Sequence, residues 1–329
     1  MLKESLKGLY FDLHYLLRRD VRLLRRIRQE KLLVVLNLHK ISPQTNPFWQ
    51  PLHPELLDDL LSFLKTRFRI ALFREIELSG EDKADKDKPV AVLSFDDGYY
   101  DFIEYASPLL EKHNLKANMN VIPACTESGL PPWNIQLYDF LNSVPRLLIN
   151  EIRLPGFDAK LKGDDFGSKL AYGLQISRFL KNRPQREREE FWQILRSYIK
   201  RADFKMTRMM TAEEIKSIAG KHEIGVHSFS HESMGFEENS FFEEDLRKCF
   251  GYFQETLRLP MEIYAFPNGS YRQEQIDTLH AKGIKHILLV DENYSQEARS
   301  VHSRFTIYGS SKAQNRFLSL GFNSKGVST

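Results

Sequence analysis

The sequence has 329 residues, 28% of them charged and 42% hydrophobic, and a formal net charge of +3, which is material for one large α/β domain or two smaller ones. So small a charge excludes a global affinity for polyanions, and no nucleic-acid partner is expected. Two distant cysteines, Cys125 and Cys249, make neither a disulfide framework nor a C-x-x-C motif, and no apolar run nears the ~18 residues of a membrane span.

In chain order, residues 1–31 read as an amphipathic helix. Leu6, Leu9, Tyr10, Leu13, Leu16, Leu17, Val21, Leu24 and Ile27 recur at spacings of three and four, which gathers them near one face. Nine basic residues stand against four acids in this segment. Such a helix suits peripheral contact with an anionic membrane surface, or packing on its own domain or a partner chain. It lacks the apolar core and cleavage site of a secretory signal, so a cytoplasmic location is expected. Leu32 to Leu38 has the pattern of a buried strand, with His39 at its end. A Pro-rich loop (Ser42 to Pro54), a helix (Glu55 to Phe68), a short strand (Arg69 to Phe73) and a solvated loop (Gly80 to Lys88) follow. Next come a strand ending at Asp96, a helix (Tyr100 to His113) and a strand (Ala117 to Ile122) stopped by Pro123.

From Ala124 to Gly220 the strand series lapses. Helices are predicted over Ile135 to Leu148, Lys169 to Lys181 and Gln185 to Arg201, and residues 124–219 are read as a helical insertion beside the site. Thr211, with Glu214 three residues on, caps a helix reaching Ala219. Strand Glu223 to Val226 leads into His227. After it come helix Asn239 to Leu257, strand Glu262 to Phe266, turn Pro267-Asn268-Gly269, helix Tyr271 to Lys282 and strand Ile284 to Val290, then Asp291. The polar remainder holds one strand-like piece, Phe305 to Tyr308. This alternation predicts an α/β fold with a mostly parallel sheet of about seven strands, a barrel or a strongly curved sheet. Residues 1–30 form the N-terminal helix, 31–123 with 220–309 the barrel, and 310–329 a tail. In such barrels the chemistry sits at the C-terminal strand ends, where His39, Asp96, Asp97, His227, Pro267 and Asp291 all fall.

Val90 to Gly98 reads V-A-V-L-S-F-D-D-G. Its adjacent carboxylates, Asp96 and Asp97, repel each other unless a cation or a proton lies between them; alone, the stretch reads equally as a solvated turn. His227 and His231 are four apart in H-S-F-S-H, a spacing that projects both imidazoles to one side of a helical turn. Alone, H-x-x-x-H is a weak signal. Joined to one carboxylate of D-D-G, it gives a two-His, one-Asp metal site with open positions for water and substrate.

S-F-D-D-G (Ser94 to Gly98) and H-S-F-S-H (His227 to His231) resemble T-F-D-D-G and H-[ST]-x-x-H, the first two motifs of the NodB-homology polysaccharide deacetylases, carbohydrate esterase family 4. Y-A-F-P-N-G (Tyr264 to Gly269) resembles their third. The resemblance covers 31–123 and 220–309 and implies a distorted (β/α) barrel. It implies Asp96 as general base and Asp97, His227 and His231 as ligands of a divalent metal, zinc being the expected ion, with an oxyanion-facing backbone N–H near Asn268, beside Pro267. The sequence also departs from the family pattern. No L-x-H motif follows Asp291 to supply the acid, and His302 lies in V-H-S-R-F. L-N-L-H (Leu36 to His39) instead resembles the permuted branch that deacetylates poly-N-acetylglucosamine, so His39 is expected to be the acid. The Arg that usually precedes the third motif's Pro is Ala265. Arg304 in S-R-F-T-I is its candidate replacement, a surface arginine being the alternative. The usual Tyr is Asn268, and the fourth motif's aromatics are missing near Asp291 to Tyr294.

The resemblance implies metal-dependent removal of an N-acyl group, N-acetyl in the first place, from an amino sugar of a glycan or of a lipid-linked or nucleotide-linked precursor. The same machinery would cleave an O-acyl ester with less need of the acid. A glycan-binding or scaffold protein that keeps the barrel but has weakened turnover is the alternative. Glycoside hydrolysis fits poorly, because adjacent acids at one strand end do not flank a sugar from opposite sides.

Overall fold

The structure is a computed structural model and describes residues 10–324 apart from 12, 77–87 and 182. Among these residues nine strands pair in parallel: β1 (Val34–Leu38), β2 (Arg69–Ile70), β3 (Val90–Phe95), β4 (Asn118–Val121), β5 (Glu223–Val226), β6 (Ile263–Ala265), β7 (His286–Leu288), β8 (Val301–His302) and β9 (Phe305–Thr306). The longer ones are unbroken apolar runs because both faces are covered. Val34, Leu36, Leu38, Ala91, Leu93 and Phe95 face the helices in the main core. The alternate residues Val35, Val90 and Val92 join Ile263, Ala265 and Leu288 inside the barrel, as the two-residue period of a strand requires. Toward the C-terminal strand ends this inner series turns polar, with Asn37, Ser94 and Asn120 all fully buried.

The pairing order is β8-β7-β6-β5-β4-β3-β1-β9, with β2 also on β3. Only Ser303 and Arg304 separate β8 from β9. One extended segment therefore pairs with β7 at its start and with β1 at its end, closing a distorted (β/α) barrel. Taken as a single stave with β1, β3, β4, β5, β6 and β7, it makes seven, the expected number. The distortion lies at β3. One edge pairs with β1 throughout, while the other is shared by β2 at Val90–Ala91 and β4 at Ser94–Phe95. The expected strand Arg69 to Phe73 accordingly stops at Ile70 and turns into the helix Phe73–Ile76.

Of the six helices between β4 and β5 among the described residues, Pro123–Ser128, Trp133–Ser143, Arg146–Ile149, Phe166–Leu180 and Gln185–Ile199 stand apart as the insertion, which has a core of its own around Leu137, Ile176, Leu180, Trp192 and Leu195. Pro145 divides the helix expected over Ile135 to Leu148, since a residue preceding proline is driven out of the helical region. Thr211 and Glu214 form the expected capping box, and that helix returns Ile215 and Ile218 to the barrel core.

Two terminal expectations change. The strand Phe305 to Tyr308 shortens to two residues, and within the expected tail Lys312–Ser319 is a helix that buries Phe317 and Leu318. At the N-terminus the helix Arg19–Gln29 buries Leu23 and Ile27 but is cut from helical residues 13–16 by Arg18, which is left-handed at φ 52°. Residues 1–9 and 12 of the expected helix, and 80–87 of the expected loop, lie outside the described residues. Cys125 and Cys249 are buried free thiols. No helix among the described residues is long and apolar enough to cross a membrane.

Candidate active site

The C-terminal ends of β1, β3, β5 and β6 carry His39, the Asp96–Asp97 pair, His227 and Pro267 respectively, each directly after or within two residues of its strand. Here the chain turns sharply. Asp97 (φ 79°), Ser228 (φ 55°), His231 (φ 59°) and Asn268 (φ 56°) are all left-handed non-glycine residues, a conformation costing of order 1–3 kcal/mol each and held only where its surroundings over-determine it. Gly98 continues the turn at φ 76°, which glycine adopts freely.

Asp97, His227 and His231 converge. One ligand atom from each lies within 4.8 Å of the others, with Asp97 Oδ1 3.5 Å from His227 Nε2 and 3.3 Å from His231 Nε2. His227 Nδ1 meets the Ala265 carbonyl at 2.9 Å. A carbonyl only accepts, so Nδ1 carries the proton and Nε2 points its lone pair at Asp97. Burial pulls the His227 imidazole down to about 4, against the pull of Asp96 and Asp97, so it is neutral near pH 7. Burial would raise Asp97, but the neighbouring histidines, His231 foremost, bring it down to about 2. Asp97 Oδ1 is buried and receives no hydrogen bond from the described residues. An anionic oxygen and two imidazole nitrogens aimed at one point, with that oxygen otherwise unpartnered, fit a divalent metal ion.

The loop bearing both histidines is pinned by a residue that sequence reasoning missed. Asp245, buried on the helix Asn239–Gly251, accepts from Phe229 N at 2.8 Å, Ser230 N at 3.0 Å and Ser230 Oγ at 2.5 Å. His231 N donates to Ser228 Oγ at 2.8 Å. The only sequence signal was an acid on a buried helix face. On the outer side, Glu232 pairs with Arg188 of the insertion at 2.5 Å, both nearly buried.

Asp96 is 1% exposed and Arg304 0%. Arg304 Nη1 donates to Asp96 Oδ1 at 2.9 Å and Nη2 to Oδ2 at 2.8 Å, while Nε donates to the Leu289 carbonyl. The residue expected as either a replacement arginine or a surface one is therefore a buried, bidentate partner of Asp96, delivered by the segment that closes the barrel. Asn120 Nδ2 also donates to Oδ1, at 2.7 Å. Gly225 on β5 leaves room for that amide: a Cβ there would stand 2.3 Å from Asn120 Oδ1. Burial raises the Asp96 carboxyl, but Arg304 and then His227 outweigh it and hold the pKa far below the usual carboxylate range. With Oδ1 doubly bonded, Oδ2 keeps a lone pair and lies 3.9 Å from His227 Nε2.

His39 follows Leu38, which pairs in register with Phe95, so it stands beside Asp96, and its charge depresses both Asp96 and Asp97. The ring of Trp49 meets its imidazole edge-on at 5.3 Å. Asn268 lies in the turn after β6 and donates its side-chain amide to Ser233 Oγ at 3.1 Å. Pro267 is buried. Asp291 accepts from Ser303 Oγ at 2.8 Å, beside the closing segment.

A polysaccharide deacetylase family model matches residues 184–287, a span that takes in H-S-F-S-H and Y-A-F-P-N-G but not D-D-G. No curated protein matches the chain. Among solved structures, the chain is similar to the Streptococcus pyogenes deacetylase PplD in complex with acetate, at 16% identity and TM-score 0.55 over 88% of this chain and 98% of that one. It is similar to IcaB from Ammonifex degensii, at 15% identity and TM-score 0.54 over 88% and 97%. It is also similar to the de-N-acetylase from Aggregatibacter actinomycetemcomitans, at 14% identity and TM-score 0.54 over 86% and 99%. The resemblance to the NodB-homology polysaccharide deacetylases carried by the motifs is borne out.

Proposed function

We propose that this NodB-homology chain is a metal-dependent carbohydrate N-deacylase that hydrolyses an N-acyl group, N-acetyl in the first place, on an amino sugar of a glycan or glycan precursor. The observation that carries this reading is the contrast between two neighbouring acids. Asp97 faces the Nε2 atoms of two imidazoles with an oxygen that is unpartnered among the described residues, while Asp96 is held anionic by a buried guanidinium. The family match and the acetate-bound and de-N-acetylase neighbours agree with it. In our reading Asp97, His227 and His231 would hold the ion, zinc being the natural choice for such a donor set. A divalent ion there supplies Lewis-acid polarisation of the acyl carbonyl and acidifies water, which matters because a base as weak as Asp96 needs an acidified proton donor.

Asp96 Oδ2 takes the proton from the attacking water, and Arg304 with Asn120 keeps that carboxylate turned toward the reacting carbon. A backbone N–H near Asn268 faces the developing oxyanion. His39 protonates the departing amine, which an amide requires because an amide anion is a very poor leaving group. Acetate release from N-acetylglucosamine oligomers and from phosphate-linked sugars, followed by mass spectrometry, tests the whole reading. Release should stop on chelation and return with added zinc, and the purified chain should bind about one ion. A chain that binds no ion and releases no acetate is a binding relic instead.

His39→Ala should lower kcat for an amide by ~10²–10⁴-fold, the usual contribution of general acid catalysis. An aryl acetate, whose leaving group departs unprotonated, should lose far less. Equal loss on both substrates would remove His39 as the acid.

We also propose peripheral contact with a membrane at the cytoplasmic face. Tyr10, Leu13, Tyr15, Leu16, Leu17 and Val21 are all exposed, Leu16 at 79%, and they alternate with Arg18, Arg19, Arg22 and Arg25, while Phe11 and His14 anchor the segment on Phe317 and Phe322. Exposed apolar side chains among arginines suit an anionic lipid surface. Flotation with anionic vesicles should be lost in Leu16→Glu/Leu17→Glu, which leaves buried Leu23 and Ile27 untouched. Identical flotation of both proteins argues against the contact.

A further inference from the structure

We infer that the helical insertion supplies an anion subsite beside the reacting centre, where Lys181 and Arg183 receive a phosphoryl group carried by the amino-sugar substrate. The inference rests on the deacylase reading and adds the chemical class of what that site accepts.

A narrow cleft, its depth roomy enough for only about one water, is walled on the barrel side by His231, Glu232 and Asn268 and on the insertion side by Trp133, Lys181, Arg183 and Arg188, so a larger anion is received at its mouth. Of the three cations, Arg188 alone meets a carboxylate among the described residues. It forms the buried pair with Glu232 and lies over the Trp133 ring at 5.0 Å, and so ties the insertion to the loop that carries His231. Arg183 is held differently. Its Nε donates to the Phe179 carbonyl at 2.9 Å, and its guanidinium lies over Phe179 at 5.0 Å and Phe191 at 5.4 Å. That fixes the plane of the fork and leaves its terminal N–H groups without an acceptor among the described residues. Lys181 caps the helix Phe166–Leu180, its backbone N–H donating to the Ser177 carbonyl at 2.8 Å, while its exposed side-chain ammonium meets no acceptor among the described residues. One fixed guanidinium and one exposed ammonium thus stand at the edge of the site, and among the described residues the carboxylate beside them, Glu232, is already taken by Arg188.

A planar guanidinium fork with a lysine point charge is the combination that recognises phosphoryl oxygens. A neutral glycan would leave both charges unmatched, and a single carboxylate would satisfy only one of them. A sugar phosphate ester brings up to two negative charges on one tetrahedral group. Amino sugars linked through a diphosphate to a nucleoside or a lipid bring the same two charges on two adjacent phosphoryl groups, one on each.

The zinc-loaded full chain should bind N-acetylglucosamine 1-phosphate at least ~10-fold more tightly than N-acetylglucosamine by calorimetry, a margin that shrinks with added salt because exposed charges are screened. Lys181→Gln/Arg183→Gln should bring the two affinities together, and Lys181→Arg should keep most of the difference, which a merely structural lysine would not do. Where turnover is measurable, the ratio of kcat/KM between phosphorylated and neutral substrates should fall in the same way. Parallel assays of a nucleotide-linked and a short-chain lipid-linked sugar separate the two sources, and a preference for either over the neutral sugar supports the subsite. Equal affinities in the wild type, or a preference that survives the double substitution, overturns it. If no sugar releases acetate the deacylase reading fails, while the affinity ratio still decides the subsite.

Discussion

With Asp96 replaced by asparagine, kcat/KM for acetate release should fall by ~10²–10⁴-fold, the range for loss of a general base, while the chain keeps its metal ion. Asparagine preserves the volume at a position only 1% exposed. It still offers one oxygen to Arg304 and Asn120, but it has no anionic lone pair for a proton. Metal content read by emission spectrometry makes the result specific. Asp97→Asn, one residue along, should lose ion and activity together, because Asp97 Oδ1 is the oxygen that lies within 3.5 Å of both imidazole Nε2 atoms. If Asp96→Asn also loses the ion, the two acids share one task and the assignment of the base is wrong. Near-normal turnover in Asp96→Asn would sink the mechanism altogether.

Much of this geometry is legible in the sequence. Periodicity located the strands because their two faces are both buried, and D-D-G and H-S-F-S-H are local signals whose chemistry is unusual at strand ends. His39 was marked by its place after an apolar run, and in-register pairing of β1 with β3 sets it beside Asp96. What stayed hidden was anything defined by closure of the ring. Val301–His302 is too short to show a period, so the stave that completes the barrel could not be read, and with it the reason Arg304 points inward. Asn120 and Gly225 are ordinary residues on β4 and β5 until one sees that the amide of one occupies the space left by the other. Asp245 serves the histidine loop from 15 and 16 residues away in sequence, through hydrogen bonds to backbone N–H groups that no residue pattern encodes. The shortened β2 reflects competition with β4 for one edge of β3, a tertiary effect without a local trace. The helix Lys312–Ser319 was missed for a simpler reason: eight residues with few apolar positions do not rise above a polar tail.

Arg304→Met should be the most destabilising single change at the site and should also move the pH profile. In the metal-free wild type the Asp96 pKa lies below its unfolded value, so this carboxylate contributes stability above pH ~4 that is lost as pH falls through the depressed pKa. Without the guanidinium, burial becomes the dominant influence and raises the pKa instead. An uncompensated buried charge of this kind costs ~3–5 kcal/mol. The deficit relative to wild type should therefore be largest at neutral pH and should narrow on acidification, as Asp96 takes up a proton and the variant escapes the penalty. Denaturant unfolding with chelator present measures it across that range. The acidic limb of kcat/KM, read with zinc restored, should shift upward, since the base must now be freed of its proton at a higher pH. Asp96→Asn/Arg304→Met removes both charges and should recover much of the lost stability without recovering activity, because the penalty arises from the imbalance and the turnover from the carboxylate. A uniform loss of stability at every pH, unrelieved in the double variant, would mean that Arg304 acts through packing alone. The bidentate geometry at 2.8 Å and 2.9 Å, with no solvent exposure of the guanidinium, argues for the electrostatic outcome.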